Sequence, residues 1–131
     1  MVTREDIESF LIRSEADAQE IEENIWLVLP APAEELTDEP GIVINFAPPV
    51  IVFRALIRTA PEDEQAQLGL YRRLLELNAT DLVHGAYGLE DGEIVLGDTR
   101  ELQNLDFSEF RASLESLAMA LTSHYSELTT D

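Results

Sequence analysis

The chain has 131 residues, 45% of them apolar and 27% charged, and 27 acidic residues against 8 basic ones give a formal net charge of −19. This length and composition predict one soluble globular domain over residues 1–131, and no apolar run approaches the roughly 20 residues of a membrane span. The charge disfavours binding to nucleic acid or to anionic membranes, and without cysteine there is no disulfide framework or thiolate chemistry.

The first half of the chain predicts one helix followed by three strands. Thr3 and Asp6 resemble a capping box, and apolar residues at helical spacing predict a helix over about residues 4–22. Three short runs rich in apolar residues predict strands, at residues 25–29, 42–46 and 50–57. Pro48 and Pro49 separate the last two and mark a turn between antiparallel neighbours, because proline cannot donate to a central ladder.

A second helix and a hairpin are predicted next. Pro61 suits the first position of a helix that is predicted to end near Asn78. Asp91-Gly92 is a dipeptide that type I′ turns favour, and it joins predicted strands over Leu82–Gly88 and Glu93–Leu96. These features predict an antiparallel pair after the second helix.

The last helix carries a clear start signal. Asp106 is a natural N-cap, Glu109 occupies the capping-box position, and an apolar stripe runs from there to Leu128. The resulting order is α-β-β-β-α-β-β-α. Because every link between successive strands is short, we predict an α+β fold with an antiparallel five-stranded sheet packed with helices.

The third predicted strand has apolar residues on both of its faces, whereas a sheet with one solvent-exposed face requires them on only one. Strict alternation places Ile51, Phe53, Ala55 and Ile57 on one face. It places Val50, Val52, Arg54, Leu56 and Arg58 on the other face. We predict that this second face binds a partner, either a second copy of the chain or a client protein. The alternative is that the three helices wrap both faces of the sheet within one monomer.

Three further side chains have two interpretations each. Arg54 and Arg58 could pair with carboxylates of their own chain or could receive a carboxylate from a client. Trp26 is the only tryptophan, and it is predicted either to pack in the core or to act as a partner-binding anchor.

The chain has only two histidines and no cysteine, and its many carboxylates match no calcium-binding loop motif. His84 lies in a predicted strand and His124 in the last helix, and their spacing matches no metal-binding motif. No nucleophile elbow or dinucleotide fingerprint is present. We therefore predict no enzymatic activity, no cofactor and no metal. The alternative is a small-ligand site or active site in a cleft that involves His84, with Tyr87 or Tyr125.

Several stretches resemble the YbjN-like family, whose fold is similar to that of the type III secretion chaperones. They are Trp26-Leu-Val-Leu, Leu74-Leu-Glu-Leu-Asn78, Gly85-Ala-Tyr-Gly88 with the Asp91-Gly92 turn, and the long terminal helix. The sequence from Leu77 to Gly88 is most similar to a cyanobacterial branch of that family. The resemblance implies a small, acidic, dimer-forming domain that binds other proteins and has no catalytic residues to carry over.

Together these observations predict a homodimeric, non-enzymatic protein-binding module with a chaperone-like or regulatory role and an unidentified protein client. A structural subunit of a larger assembly is a further alternative. The N-terminal residues turn acidic at once and include no apolar signal segment, which predicts a cytoplasmic protein.

Overall fold

A computed structural model describes residues 1–29 and 38–130. Within these ranges the chain forms three helices and six strands. Their order is α1 (Arg4–Arg13), β1 (Ala18–Glu22), β2 (Ile25–Val28), β3 (Ile42–Ala47), β4 (Val50–Thr59), α2 (Glu64–Thr80), β5 (Ala86–Glu90), β6 (Glu93–Glu101) and α3 (Phe107–Leu128).

The six strands form one antiparallel sheet with the spatial order β1-β2-β3-β4-β6-β5. The predicted α+β class and antiparallel pairing are therefore confirmed. The predicted number of strands is wrong, since the described residues form six and not five.

The additional strand comes from the segment that the sequence predicts as the second half of the first helix. Helix α1 ends at Arg13, and Glu15 then adopts a positive φ of 56°, which the helix cannot continue through. Residues Ala18–Glu22 pair with β2 across a turn in which Asn24 also has a positive φ. Pairing with β2 thus overrides the helical spacing and helix-forming composition of this segment.

The predicted hairpin is present with shifted boundaries. Asp91 and Gly92 have φ values of 50° and 81°, the positive pair that a type I′ turn requires, so the predicted turn is confirmed. Strand β5 begins only at Ala86, because Gly85 adopts φ +82°, and β6 continues to Glu101. The predicted strand position of His84 is therefore wrong, and His84 lies in the irregular segment before β5.

The helices pack against one face of the sheet, and the core lies between them. Helix α3 contacts β4 and β6, α1 contacts α3, and α2 contacts β5. Phe53 of β4 and Phe110 of α3 are fully buried with ring centroids 5.3 Å apart. The predicted capping boxes at Thr3 and Asp106 begin α1 and α3 and are confirmed. Each cap supplies a partner for main-chain groups that a helix start leaves unpaired.

Strand β5 forms one edge of the sheet, and a side chain of α2 covers part of that edge. The Asn78 amide nitrogen donates to the Tyr87 main-chain oxygen at 3.1 Å, and its amide oxygen accepts from the Tyr87 main-chain nitrogen at 2.7 Å. One amide therefore satisfies both main-chain groups that a neighbouring strand would otherwise bind.

Candidate functional site

The face of the sheet that points away from the helices is the candidate functional site, and we call it the outer face. It is formed by Ile25 and Leu27 of β2, Val43 and Asn45 of β3, Val50, Val52, Arg54 and Leu56 of β4, and Val95 of β6. These residues are half-buried or exposed and alternate with fully buried ones that face the helices. No described helix packs on them, so the predicted alternative in which helices wrap both faces is contradicted for the described residues.

The strand registers bring the outer-face side chains into a continuous surface. Val43 pairs with Arg54, Asn45 with Val52, and Leu56 with Val95. A shallow groove of about 580 Å³ runs over them and is bordered by Glu90, Asp91 and Glu93 at the β5–β6 turn. The outer face thus combines an apolar floor with an acidic border.

Leu56 is the most prominent apolar residue of this face. Its exposed fraction is 56%, although its neighbours Ala55 and Ile57 are buried. A leucine that remains so exposed in the middle of a long strand leaves apolar area open to water, which association with another molecule would cover.

Arg54 crosses the outer face and forms an ion pair with Glu90 of β5. Of its two predicted interpretations, pairing with the chain's own carboxylate is the one observed. Because both side chains are substantially exposed, the pair is worth little to stability and can exchange partners when another charged group approaches.

Trp26 does not lie on the outer face. Its side chain is 4% exposed on the helix side of the sheet, where it pairs with fully buried Ile44. The Arg4 guanidinium covers its ring at 5.4 Å from the centroid. Side chains alternate between the two faces of the sheet along β2, and this alternation places Trp26 in the core. The predicted partner-facing position of Trp26 is therefore wrong.

Arg58 also departs from its predicted position. Leu56 and Arg58 pair with consecutive residues of β6, so Ile57 is the extra residue of a β-bulge. Arg58 is consequently opposite buried Ile94 and turns to the helix side, where its Nη1 donates to the Leu128 main-chain oxygen at 3.3 Å. A cation at this position complements the C-terminal end of α3.

A second concavity, which we call the α3 cleft, lies between the segment before β5 and helix α3. Its volume is about 330 Å³. It is lined by Asp81, Leu82, Val83, His84, Ala112, Glu115, Ser116, Met119, Ala120, Ser123 and His124. The predicted cleft near His84 thus has a counterpart in the structure, whereas Tyr87 and Tyr125 are not among its lining residues.

Hydrogen bonds hold His84 in a defined orientation. Ser116 Oγ lies 3.1 Å from the His84 main-chain nitrogen and 3.0 Å from its main-chain oxygen. Arg100 Nη2 lies 3.0 Å from His84 Nδ1. Since a guanidinium only donates, Nδ1 accepts and the proton of the neutral ring sits on Nε2. Arg100 in turn donates from Nε to Ser113 Oγ at 2.9 Å.

His124 is 5% exposed and bonded through both ring nitrogens. Its Nδ1 lies 2.9 Å from the Tyr87 hydroxyl and its Nε2 lies 3.1 Å from Asp81 Oδ2. Burial raises the pKa of the Tyr87 phenol, so the hydroxyl stays protonated, and in the tautomer with the ring proton on Nε2 it donates to Nδ1. The Nε2 proton is then donated to Asp81. This chain of hydrogen bonds connects β5, α3 and the end of α2.

The arrangement around the α3 cleft holds its backbone in place. Within the described residues neither cleft serine contacts an imidazole nitrogen, and no group of three or more metal-ligating side chains is positioned around a common point. The cleft therefore presents apolar and hydrogen-bonding surface to a bound group.

We expect Asp81→Asn to destabilise the protein at neutral pH and to have a smaller effect in acid. Hydrogen bonds from Thr80 and His124 lower the pKa of Asp81. A carboxylate whose folded-state pKa is depressed adds stability above its unfolded pKa of about 4, and that stability is lost as the pH falls through the lower folded-state value. Urea unfolding of both proteins at neutral and acidic pH measures the difference.

Asp17→Asn is the matched control, because Asp17 is exposed and its side chain makes no hydrogen bond to the described residues. A loss of stability in Asp81→Asn that is the same at both pH values would contradict this role of the carboxylate.

Comparison with known proteins identifies the fold. The family model CesT_Tir_1 matches residues 2–130, and no curated protein matches the chain. Among solved structures, a chain of the heterodimeric ExoU-SpcU complex from the type III secretion system of Pseudomonas aeruginosa has a TM-score of 0.69 at 17% identity, covering 94% of this chain and 98% of that one.

Two further structures are similar at low identity. YbjN from E. coli has a TM-score of 0.64 at 14% identity, with 96% of this chain and 93% of that one covered. A chain of the ExsC-ExsE complex has a TM-score of 0.61 at 14% identity, with 98% and 97% covered. The resemblance to the YbjN-like family and its type III chaperone-like fold is therefore confirmed. Over the described residues, no helix combines the length and apolarity that crossing a membrane requires.

Proposed function

Because the chain belongs to the CesT_Tir_1 family, the type III chaperone family, we propose that it is a non-enzymatic, chaperone-like protein-binding module. It acts as a homodimer in the cytoplasm, and its outer face binds the second copy or a client protein. The observation that carries this proposal is the apolar floor of the outer face, which no described helix covers.

The energetics of the outer face support a binding role. Covering about 400 Å² of apolar surface contributes roughly 10 kcal/mol before the costs of association are subtracted. That gross term is of the same order as the roughly 4–15 kcal/mol that association costs. The solved ExoU-SpcU and ExsC-ExsE structures are complexes of two proteins, which further supports a protein as the bound molecule.

Sedimentation of the purified chain across the micromolar range tests the proposal. We expect a dimer whose dissociation follows mass action on dilution. In parallel, the chain is immobilised and incubated with native lysate of its source, and we expect a stoichiometric protein partner by mass spectrometry. A strict monomer that retains no partner protein would contradict the proposed function.

A further inference from the structure

The α3 cleft has two exposed apolar side chains at its mouth. Val83, in the segment before β5, is 82% exposed, and Met119 of α3 is 69% exposed. Leu82, Ala112 and Ala120 continue the apolar lining inside the cleft. Its volume of about 330 Å³ is at the small end for ligand sites, which suits one or two side chains better than a large cofactor.

Carboxylates outnumber cations around the cleft. Among its described lining residues, Asp81 and Glu115 contribute exposed carboxylates and no arginine takes part. The neighbouring cations are each paired with carboxylates, Arg111 with Glu115 and Arg100 with Asp98 and Glu109, so the surroundings of the cleft remain net negative. The chain as a whole carries a formal charge of −19. A second copy of the chain would bring a like-charged surface to the cleft, whereas a cationic segment would be attracted to it.

The cleft wall is already held in position by the fold. Ser116 binds both main-chain groups of His84, and Asp81 is bonded to buried His124. Gly85 approaches α3 so closely that a Cβ there would lie 2.9 Å from Leu117 Cδ2. A site that needs no ordering on binding retains more of its contact energy as affinity.

From this combination we propose that the α3 cleft is a second docking site, distinct from the outer face, that receives an apolar side chain flanked by arginine or lysine in a partner peptide. The inference rests on the proposed function as a protein-binding module. The apolar side chain contacts Val83 and Met119, and the flanking cations lie near Asp81 and Glu115.

The probe is a fluorescein-labelled synthetic pentapeptide with one central leucine between two pairs of arginines, and binding is followed by fluorescence anisotropy. We expect saturable binding to the wild-type chain and at least a roughly tenfold increase in Kd for the double variant Val83→Ser, Met119→Ser. Ile12→Ser is the matched control, because Ile12 is 78% exposed on α1 and lies outside the cleft. Equal affinity of the double variant and the control would overturn the proposal.

Two altered peptides separate the apolar and the charged contributions. We expect binding to be lost when serine replaces the leucine and when glutamates replace the arginines. A serine peptide that binds as tightly as the leucine peptide would show general charge attraction and would overturn the site. Acetyl-leucine amide that competes at the same concentration as the peptide would indicate a small-ligand cleft and would also overturn it.

Leu56→Asp distinguishes this inference from the proposed function. We expect this outer-face variant to bind the leucine peptide like the wild type while losing self-association, and we expect the Val83, Met119 double variant to keep self-association. Peptide binding that is lost in Leu56→Asp and retained in the double variant would place the peptide on the outer face. That result would overturn the second site and leave the proposed function standing.

Discussion

Leu56→Asp is expected to abolish binding through the outer face while leaving the monomer folded. The side chain is 56% exposed, so an aspartate there remains hydrated in the free chain. In an interface the same carboxylate would be buried without a partner, which costs several kcal/mol and weakens association by roughly a hundredfold or more. Sedimentation measures the dimer, and far-UV circular dichroism during a thermal ramp measures the fold.

Ile12→Asp is the control for added charge, since it introduces the same carboxylate at an exposed apolar position of α1. We expect this variant to associate like the wild type. If Leu56→Asp retains wild-type self-association and partner binding, the outer face is not the binding surface. Val52→Asp, which changes an outer-face residue four positions before Leu56 in β4, provides an independent repeat of the test.

Phe53→Ala is expected to have the largest effect on stability. Phe53 is fully buried between the sheet and α3 and contacts the ring of Phe110. Truncating a buried phenylalanine removes its transfer free energy and leaves a cavity, which together lower the free energy of unfolding by about 3–5 kcal/mol. This is a large part of the roughly 5–15 kcal/mol that stabilises a typical domain. Urea unfolding followed by circular dichroism measures the change.

Val52→Ala is the matched control, because Val52 is the adjacent residue of β4 and lies on the outer face. We expect it to lower the free energy of unfolding by less than about 1 kcal/mol. Similar losses in the two variants would contradict the assignment of the two faces of β4.

Alternation along a strand predicts the faces of β4 correctly from Val50 to Leu56, because the side-chain period of two is a property of the backbone. It fails at Arg58, since the β-bulge depends on how β4 pairs with β6. Arg58 pairs with Ile94, 36 positions later in the chain, and such a distant pairing leaves no local pattern in the residues near Arg58. The candidate partner-binding face could therefore be predicted only up to the bulge.

The first helix is a second case in which a local sequence pattern does not determine the structure. Residues 18–22 contain good helix formers and have apolar side chains at helical spacing, yet they form β1. The deciding interaction is the ladder to β2, and the positive φ of Glu15 ends α1 before it. The hydrogen bonds of the α3 cleft could not be predicted from the sequence either, because Asp81 and His124 are 43 positions apart in the chain.

The side-chain amide of Asn78 limits strand pairing between neighbouring molecules at high protein concentration. Because it takes up both main-chain groups of Tyr87, an extended strand from a neighbouring molecule finds no free donor or acceptor at that point of β5. A fibril that grows by edge-to-edge pairing of strands needs two open sheet edges on every molecule. A single side chain of α2 thus occupies, at Tyr87, one of the pairing positions that an added strand would need at this edge.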